Sequence, residues 1–345
     1  MVEGKIKKTS EEIKDAILSD LKDGPKTITE ISESVNSNWV TVGEYLKKLK
    51  EEKEVLEIVS SPKMKVYRRT DDLAFYGLPF SKKIREDTFS LLCLIARLWR
   101  EKTGQNNPSR TIIQKVAVEF IEESNGDISL PILNFHYGQT LALRYDEKFE
   151  NECKDFKLTE KQKESLSKLI KKYENWSAGR SQKEQYSKHG MEFYKTKEEL
   201  LSAFTINNEE EIIQKILELS VYYPSELIET YELFDKFEYC SINILNIKKE
   251  DTRKEYTQKL KEIFSLIWDA ITTNSFFYEA ERYMEENKKE LFNYIKVNII
   301  NSKISNVSPI LDDFKSEIDS IPLGEINTNT SEKSKELLSR LLNGL

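Results

Sequence analysis

Apolar residues in the first fifty positions recur at helical spacing. Ile13, Ile17 and Leu21 follow Ser10-Glu11-Glu12. A capping serine, acids at the positive end and a stripe three to four residues apart predict a helix that opens at Ser10. Gly24-Pro25 closes it. Ile28, Ile31 and Val35 predict a second, short helix in TITEISESV, capped by Thr27 or Thr29. The polar run Asn36-Ser37-Asn38 is a turn and a cap, and Val42, Leu46 and Leu49 mark a third helix through WVTVGEYLKKLKEEK. The period then changes to two. VLEIVSS and MKVYRRT, separated by Ser61-Pro62-Lys63, predict a two-stranded hairpin.

Residues 73–80, LAFYGLPF, contain Gly77 and Pro79 and are expected to be a linker or docking strip. Helical spacing then dominates. SKKIREDTFSLLCLIARLWREK is apolar around most of its circumference, as in a centrally buried helix. Asn107-Pro108 opens the next helix and Asn125-Gly126 ends it. SLPILNFHYGQTLALRYD fits strand, loop or helix equally. LTEKQKESLSKLIKKYENW is amphipathic, and WSAGRSQKEQYSKHG is expected to be an exposed loop. Further helices fit 194–204, 208–222, 225–238, 250–272, 275–300 and 308–319. A polar stretch after Pro322 leads to a short amphipathic helix, KELLSRLLNGL. The expected fold is mostly α: an N-terminal winged helix in residues 1–72, an all-helical domain in 81–321, and a tail in 322–345.

Composition supports this. Gly and Pro number only 11 and 8 in 345 residues, too few for the tight turns of a sandwich or barrel. Net charge is -7, but residues 1–70 hold 14 Lys and Arg against 13 Asp and Glu, so the acidic excess lies in the rest. Such a chain meets nucleic acid only where basic groups are focused. Cys93, Cys153 and Cys240 are widely spaced and odd in number, which predicts reduced thiols, with Cys93 an inert core residue. Two histidines, His136 and His189, make a His-rich metal site improbable. No cofactor or metal is expected. No run is long and apolar enough to span a bilayer, and MVEGKIKKTSEE lacks the apolar stretch of a signal peptide, so a cytoplasmic location is expected.

The first 70 residues carry the candidate chemistry. In a helix-turn-helix the second helix enters the major groove with its polar face outward. Stepping about 100° per residue from Val42 puts Val40, Gly43, Glu44, Lys47 and Glu51 opposite the apolar seam. Val40 suits a thymine methyl, and Glu44 suits cytosine N4. Asn38 and Thr41 lie at the helix start, where backbone amides can hold a phosphate. Lys47, Lys48 and Lys50, and Lys5, Lys7 and Lys8 on the N-terminal arm, could add phosphate contacts. The acid-free wing SPKMKVYRR offers Lys63, Lys65, Arg68 and Arg69 to the phosphate backbone.

ITEISESV, NSNWVTVGEYLKKLKEEKEVLEIV and KMKVYRRT together resemble the winged helix domains of archaeal and bacterial transcription regulators, including MarR- and ArsR-like groups. The resemblance covers residues 10–70 and implies duplex DNA as partner. It departs from that pattern in offering Val40, Gly43 and Glu44, not arginine, on the exposed face. The helical body would supply homodimerisation, a ligand pocket or a protein-partner surface. The competing reading is a non-enzymatic adaptor whose winged helix binds protein in a replication, defence or transcription assembly. No phosphate loop, dinucleotide fingerprint, HExxH or G-x-S-x-G motif is present, and no enzyme is expected. His136, without a nucleophile or carboxylate at a telling spacing, is expected to be structural.

Overall fold

A computed structural model describes residues 9–60, 64–322 and 325–326. The expected N-terminal arm, Ser61-Pro62-Lys63 and KELLSRLLNGL lie outside the described residues. The fold is mostly helical, with a small antiparallel sheet. No helix among the described residues is long and apolar enough to cross a membrane.

Three helices and three strands come first. α1 (Ser10–Asp20) is capped by Thr9, not Ser10: Thr9 and Glu12 each bond the other's backbone N–H. Thr27 and Glu30 repeat that reciprocal cap on α2 (Ile28–Ser34), and Asn38 caps α3 (Trp39–Glu51). The expected hairpin is β2 (Val55–Ser60) with β3 (Lys65–Arg69). A two-residue strand, β1 (Lys26–Thr27), joins it to give the order β1-β3-β2, all antiparallel. Two residues are too few to show alternation, so β1 was not legible. Ile17, Leu21, Ile31, Val35, Val42, Leu46, Leu49, Val55 and Tyr67 form one buried cluster between the helices and the sheet.

The chain divides into two compact units, and not at residues 73–80. The first holds residues 1–132, 140–176 and 280–298, so the opening module shares a unit with α4 (Lys82–Thr103), α5 (Arg110–Glu123) and α6 (Glu160–Tyr173). Residues 73–80 are docked within it. Leu73 O accepts from Arg144 N–H at 2.9 Å, and Ala74, Leu78 and Phe80 are buried. α5 is buried at every position from Ile112 to Ile121, more completely than α4. That burial includes Lys115, whose ammonium is driven down to about 7 by desolvation. Cys93 and Cys153, 60 residues apart, are joined by a disulfide, which corrects the expectation of reduced thiols: α4 and the segment after Asp146 bring their Cα atoms to 6.5 Å, a proximity that sequence spacing does not show.

The body is not all-helical. The ambiguous stretch forms β4 (Ile132–Phe135) and β5 (Gly138–Leu141), a two-stranded pair. The second unit holds residues 133–139, 177–279 and 299–345. Its helices are α7 (Ala178–Lys188), α8 (Glu192–Ile206), α9 (Glu209–Val221), α10 (Ile228–Leu245) and α11 (Glu250–Ala280), together with most of α12 (Lys289–Asp319). The expected loop at 176–190 is therefore largely helix. Ser181, Gln185 and Tyr186 form its buried face, and polar residues in such a stripe leave no hydrophobic signature. α11 runs through the expected break at 272–275. The hydroxyls of Thr272 and Thr273 donate to the carbonyls of Trp268 and Asp269, at 2.8 and 2.6 Å, so buried polar residues are satisfied inside the helix.

Lys115 yields a pH prediction. Its folded pKa lies below the ordinary 10.5, so between about pH 7 and 10.5 the unfolded chain binds the extra proton. Its burial therefore destabilises the fold fully below pH 7, and the penalty fades as pH rises through that window. Denaturant titrations from pH 7 to 10 should show Lys115→Met more stable than the parent at pH 7, with the difference shrinking toward pH 10. A constant difference would contradict the assignment.

Candidate nucleic-acid interface

α3 is fixed at both ends and along one side. Asn38 has extended backbone angles and accepts the Thr41 N–H through Oδ1 at 2.8 Å, ending the turn and starting the helix. Asn38 is exposed, but that oxygen is committed to the cap; Thr41 is half-buried. Val42, Leu46 and Leu49 face the core. On the outer side lie Val40, Glu44 and Lys47, exposed as the spacing predicts, and Lys48 is exposed as well. Trp39, which sequence reasoning passed over, stands beside Val40 with 66% of its surface open, against 51% for Val40.

Gly43 does not belong to the outer face. A Cβ there would meet Ile28 Cδ1 at 3.3 Å, so the missing side chain lets α2 and α3 approach closely. Helix propensity disfavours glycine, and the close crossing explains its presence.

Charge on this face is sparse but uncommitted. Lys47 and Lys48 form no ion pair among the described residues; Lys48 Nζ rests 5.3 Å from the Tyr45 ring centre. Lys50, by contrast, binds Glu57 at 2.5 Å. Glu57 lies at the bulge of β2, between Lys50 and Lys65. Burial pushes its carboxyl up, yet Lys50, the Ser60 hydroxyl and Lys65 hold it below the ordinary carboxylate value. Lys65 is exposed and 4.0 Å from Glu57.

The two wing arginines are placed otherwise than expected. Arg68 is half-buried and packs on Gly77, where a Cβ would lie 2.4 Å from Arg68 Cδ and where φ is +64°. Its Nε and Nη1 are shielded from solvent and have no hydrogen-bond partner among the described residues. Burial draws the guanidinium below its ordinary pKa; Asp72 opposes this, while Arg144 and Arg85 add to it. Asp72, its side chain only 1% exposed, accepts from Arg85 at 2.6 Å and from Ala74 N–H at 3.0 Å. Arg69 is held in a two-point pair with Asp71, at 2.8 and 2.6 Å. Both arginines thus serve the unit's own charge network, because the chain after β3 returns with two aspartates. Lys63 lies outside the described residues.

Another side-chain cluster occupies the second unit. His136 Nε2 is 3.1 Å from Asp269 Oδ1, and its Nδ1 is 3.0 Å from Thr272 Oγ1. Lys303 also binds Asp269. Asp269 is pushed up by burial but held lower, net, by His136 and Lys303. The carboxylate partner thought missing is therefore present, 133 positions away in sequence. Thr272 is completely buried and bonded to Trp268 O, so no substrate reaches its hydroxyl, and the cluster ties α11, α12 and the β4–β5 turn together. No group of three or more His, Cys, Asp and Glu among the described residues is placed to hold a metal ion.

Against known protein families, curated proteins and solved structures, the chain has no match.

The placement of Arg68 and Asp72 predicts a contrast in stability. Asp72→Ala strands Arg85 and Arg68 and should lower unfolding free energy by about 3–5 kcal/mol. Lys65→Ala, on the exposed ribbon, should change it by less than about 0.5 kcal/mol. Urea unfolding followed by circular dichroism reads both; equal small effects would contradict the buried network.

Proposed function

We propose that residues 9–70 form a winged helix and that the protein docks on duplex DNA through it, acting in transcription regulation. The observation that carries this reading is the outer face of α3, where Lys47 and Lys48 stand exposed and uncommitted while Val42, Leu46 and Leu49 of the same helix are buried. Lys65 on the β2–β3 ribbon, exposed beside Glu57, adds a third cation. In this reading α3 enters the major groove, Val40 and Glu44 meet base edges, and the lysines meet phosphates. Arg68 and Arg69 drop out of the contact set. Three lysines make a small footprint, and a homodimer spanning two half-sites would enlarge it.

Trp39 and Val40 favour a second reading. Two adjacent, exposed apolar side chains at a helix start suit a protein partner, as in a non-enzymatic adaptor. The module's balanced charge suits it as well.

A salt titration of random duplex binding by the full chain separates them. Lys47→Glu, Lys48→Glu and Lys65→Glu combined should weaken binding to all duplexes alike. The slope of log K against log salt should fall by about 0.9 for each lost phosphate contact. Arg68→Ala should leave the slope unchanged. No duplex binding by the parent at low salt would overturn the DNA reading and favour the adaptor.

A further inference from the structure

The second unit contains a cavity of about 370 Å³ whose wall chemistry is one-sided. Phe193, Tyr194, Tyr222 and Tyr278 line it, with the carboxylates of Glu226 and Glu279. Glu192 contributes a third carboxylate, partly engaged by Lys195 at 3.2 Å. No lysine, arginine or histidine is among the described lining residues. Asn134 holds the Glu279 carboxylate in place through its backbone N–H and its side-chain amide, the latter at 2.5 Å. Glu226 is exposed and forms no ion pair among the described residues.

Trp268, which two of these rings contact, already hosts a cation. Phe193 lies tilted against Trp268 with ring centres 5.1 Å apart, and Tyr194 meets the same ring edge-on at 5.3 Å. Lys197, 7% exposed, sets its ammonium 5.4 Å from the Trp268 ring and 5.9 Å from Tyr137, and pairs with Glu198 at 2.7 Å. An ammonium on aromatic faces with one carboxylate beside it is thus built into this unit. The cavity repeats the elements, rings and carboxylates, without a lining cation of its own.

We propose that this cavity binds a small organic cation carrying an alkylated ammonium group. Such a group is weakly hydrated, so ring faces and nearby carboxylates can replace the water it loses. Inorganic cations fit poorly, because hard ions need several converging oxygens, and the cavity's three carboxylates do not come together as a metal-holding group among the described residues. The cavity's size is in the range of small-molecule sites. The inference is independent of DNA binding.

Calorimetric titration of the full chain with choline and with 3,3-dimethylbutan-1-ol, its uncharged isostere, tests the proposal at fixed ionic strength. Choline should bind at least tenfold more tightly than the alcohol. Tyr278→Ala and Glu226→Gln, both at exposed positions, should each weaken choline at least fivefold with the melting temperature unchanged. No choline binding, equal binding of the alcohol, or variants that bind choline as the parent does would each overturn it.

Discussion

Val42, Leu46 and Leu49 lie beneath α2 and the three-stranded sheet with at most 1% of their surface exposed, and that seam decides where every other side chain of α3 points. Burying three apolar residues at helical spacing leaves Val40, Glu44, Lys47 and Lys48 no choice but to face outward. The bare backbone of Gly43 against Ile28 sets the α2–α3 approach. The Asn38 cap sets the helix start. Packing determines the face, and the face is what could meet a nucleic acid.

The same unit shows how charge is divided between structure and surface. Arg68, Arg85 and Asp72 are turned inward, where an unpaired ion would cost several kcal/mol, about 3–5 by analogy with other buried pairs. Lys47, Lys48 and Lys65 remain in solvent, where single charges contribute little to stability. Basic residues neighbouring in sequence, such as Lys65 and Arg68, thus have different physical tasks. The second unit makes a parallel division: Lys197 is engaged by Trp268, Tyr137 and Glu198, while Glu226 at the cavity stands exposed.

Much of the first module was legible because its pattern is local. The Val42–Leu46–Leu49 stripe, the change of period at Val55 and the Asn38 cap each follow from neighbours within a few residues. What was not legible depends on distant partners. Asp269 reaches His136 across 133 positions, Cys153 meets Cys93 across 60, and Asp72 claims Arg85 across 13. The helix over Ala178–Lys188 was hidden because its buried stripe is polar, and the continuity of α11 because Thr272 and Thr273 bond their own helix. For the ion pairs and the disulfide, tertiary packing supplied the missing information; for the two helices, polar side chains buried or bonded within the helix hid it.

Lysine-acetylation footprinting of the full chain, with and without random duplex at low salt, addresses the account at its centre. The outward face of α3 and the ribbon beside it should become protected: Lys47, Lys48 and Lys65 lose reactivity, while Lys22 and Lys163, exposed elsewhere in the same unit, keep theirs. Unchanged reactivity at Lys47, Lys48 and Lys65, or equal protection of Lys22 and Lys163, would contradict it.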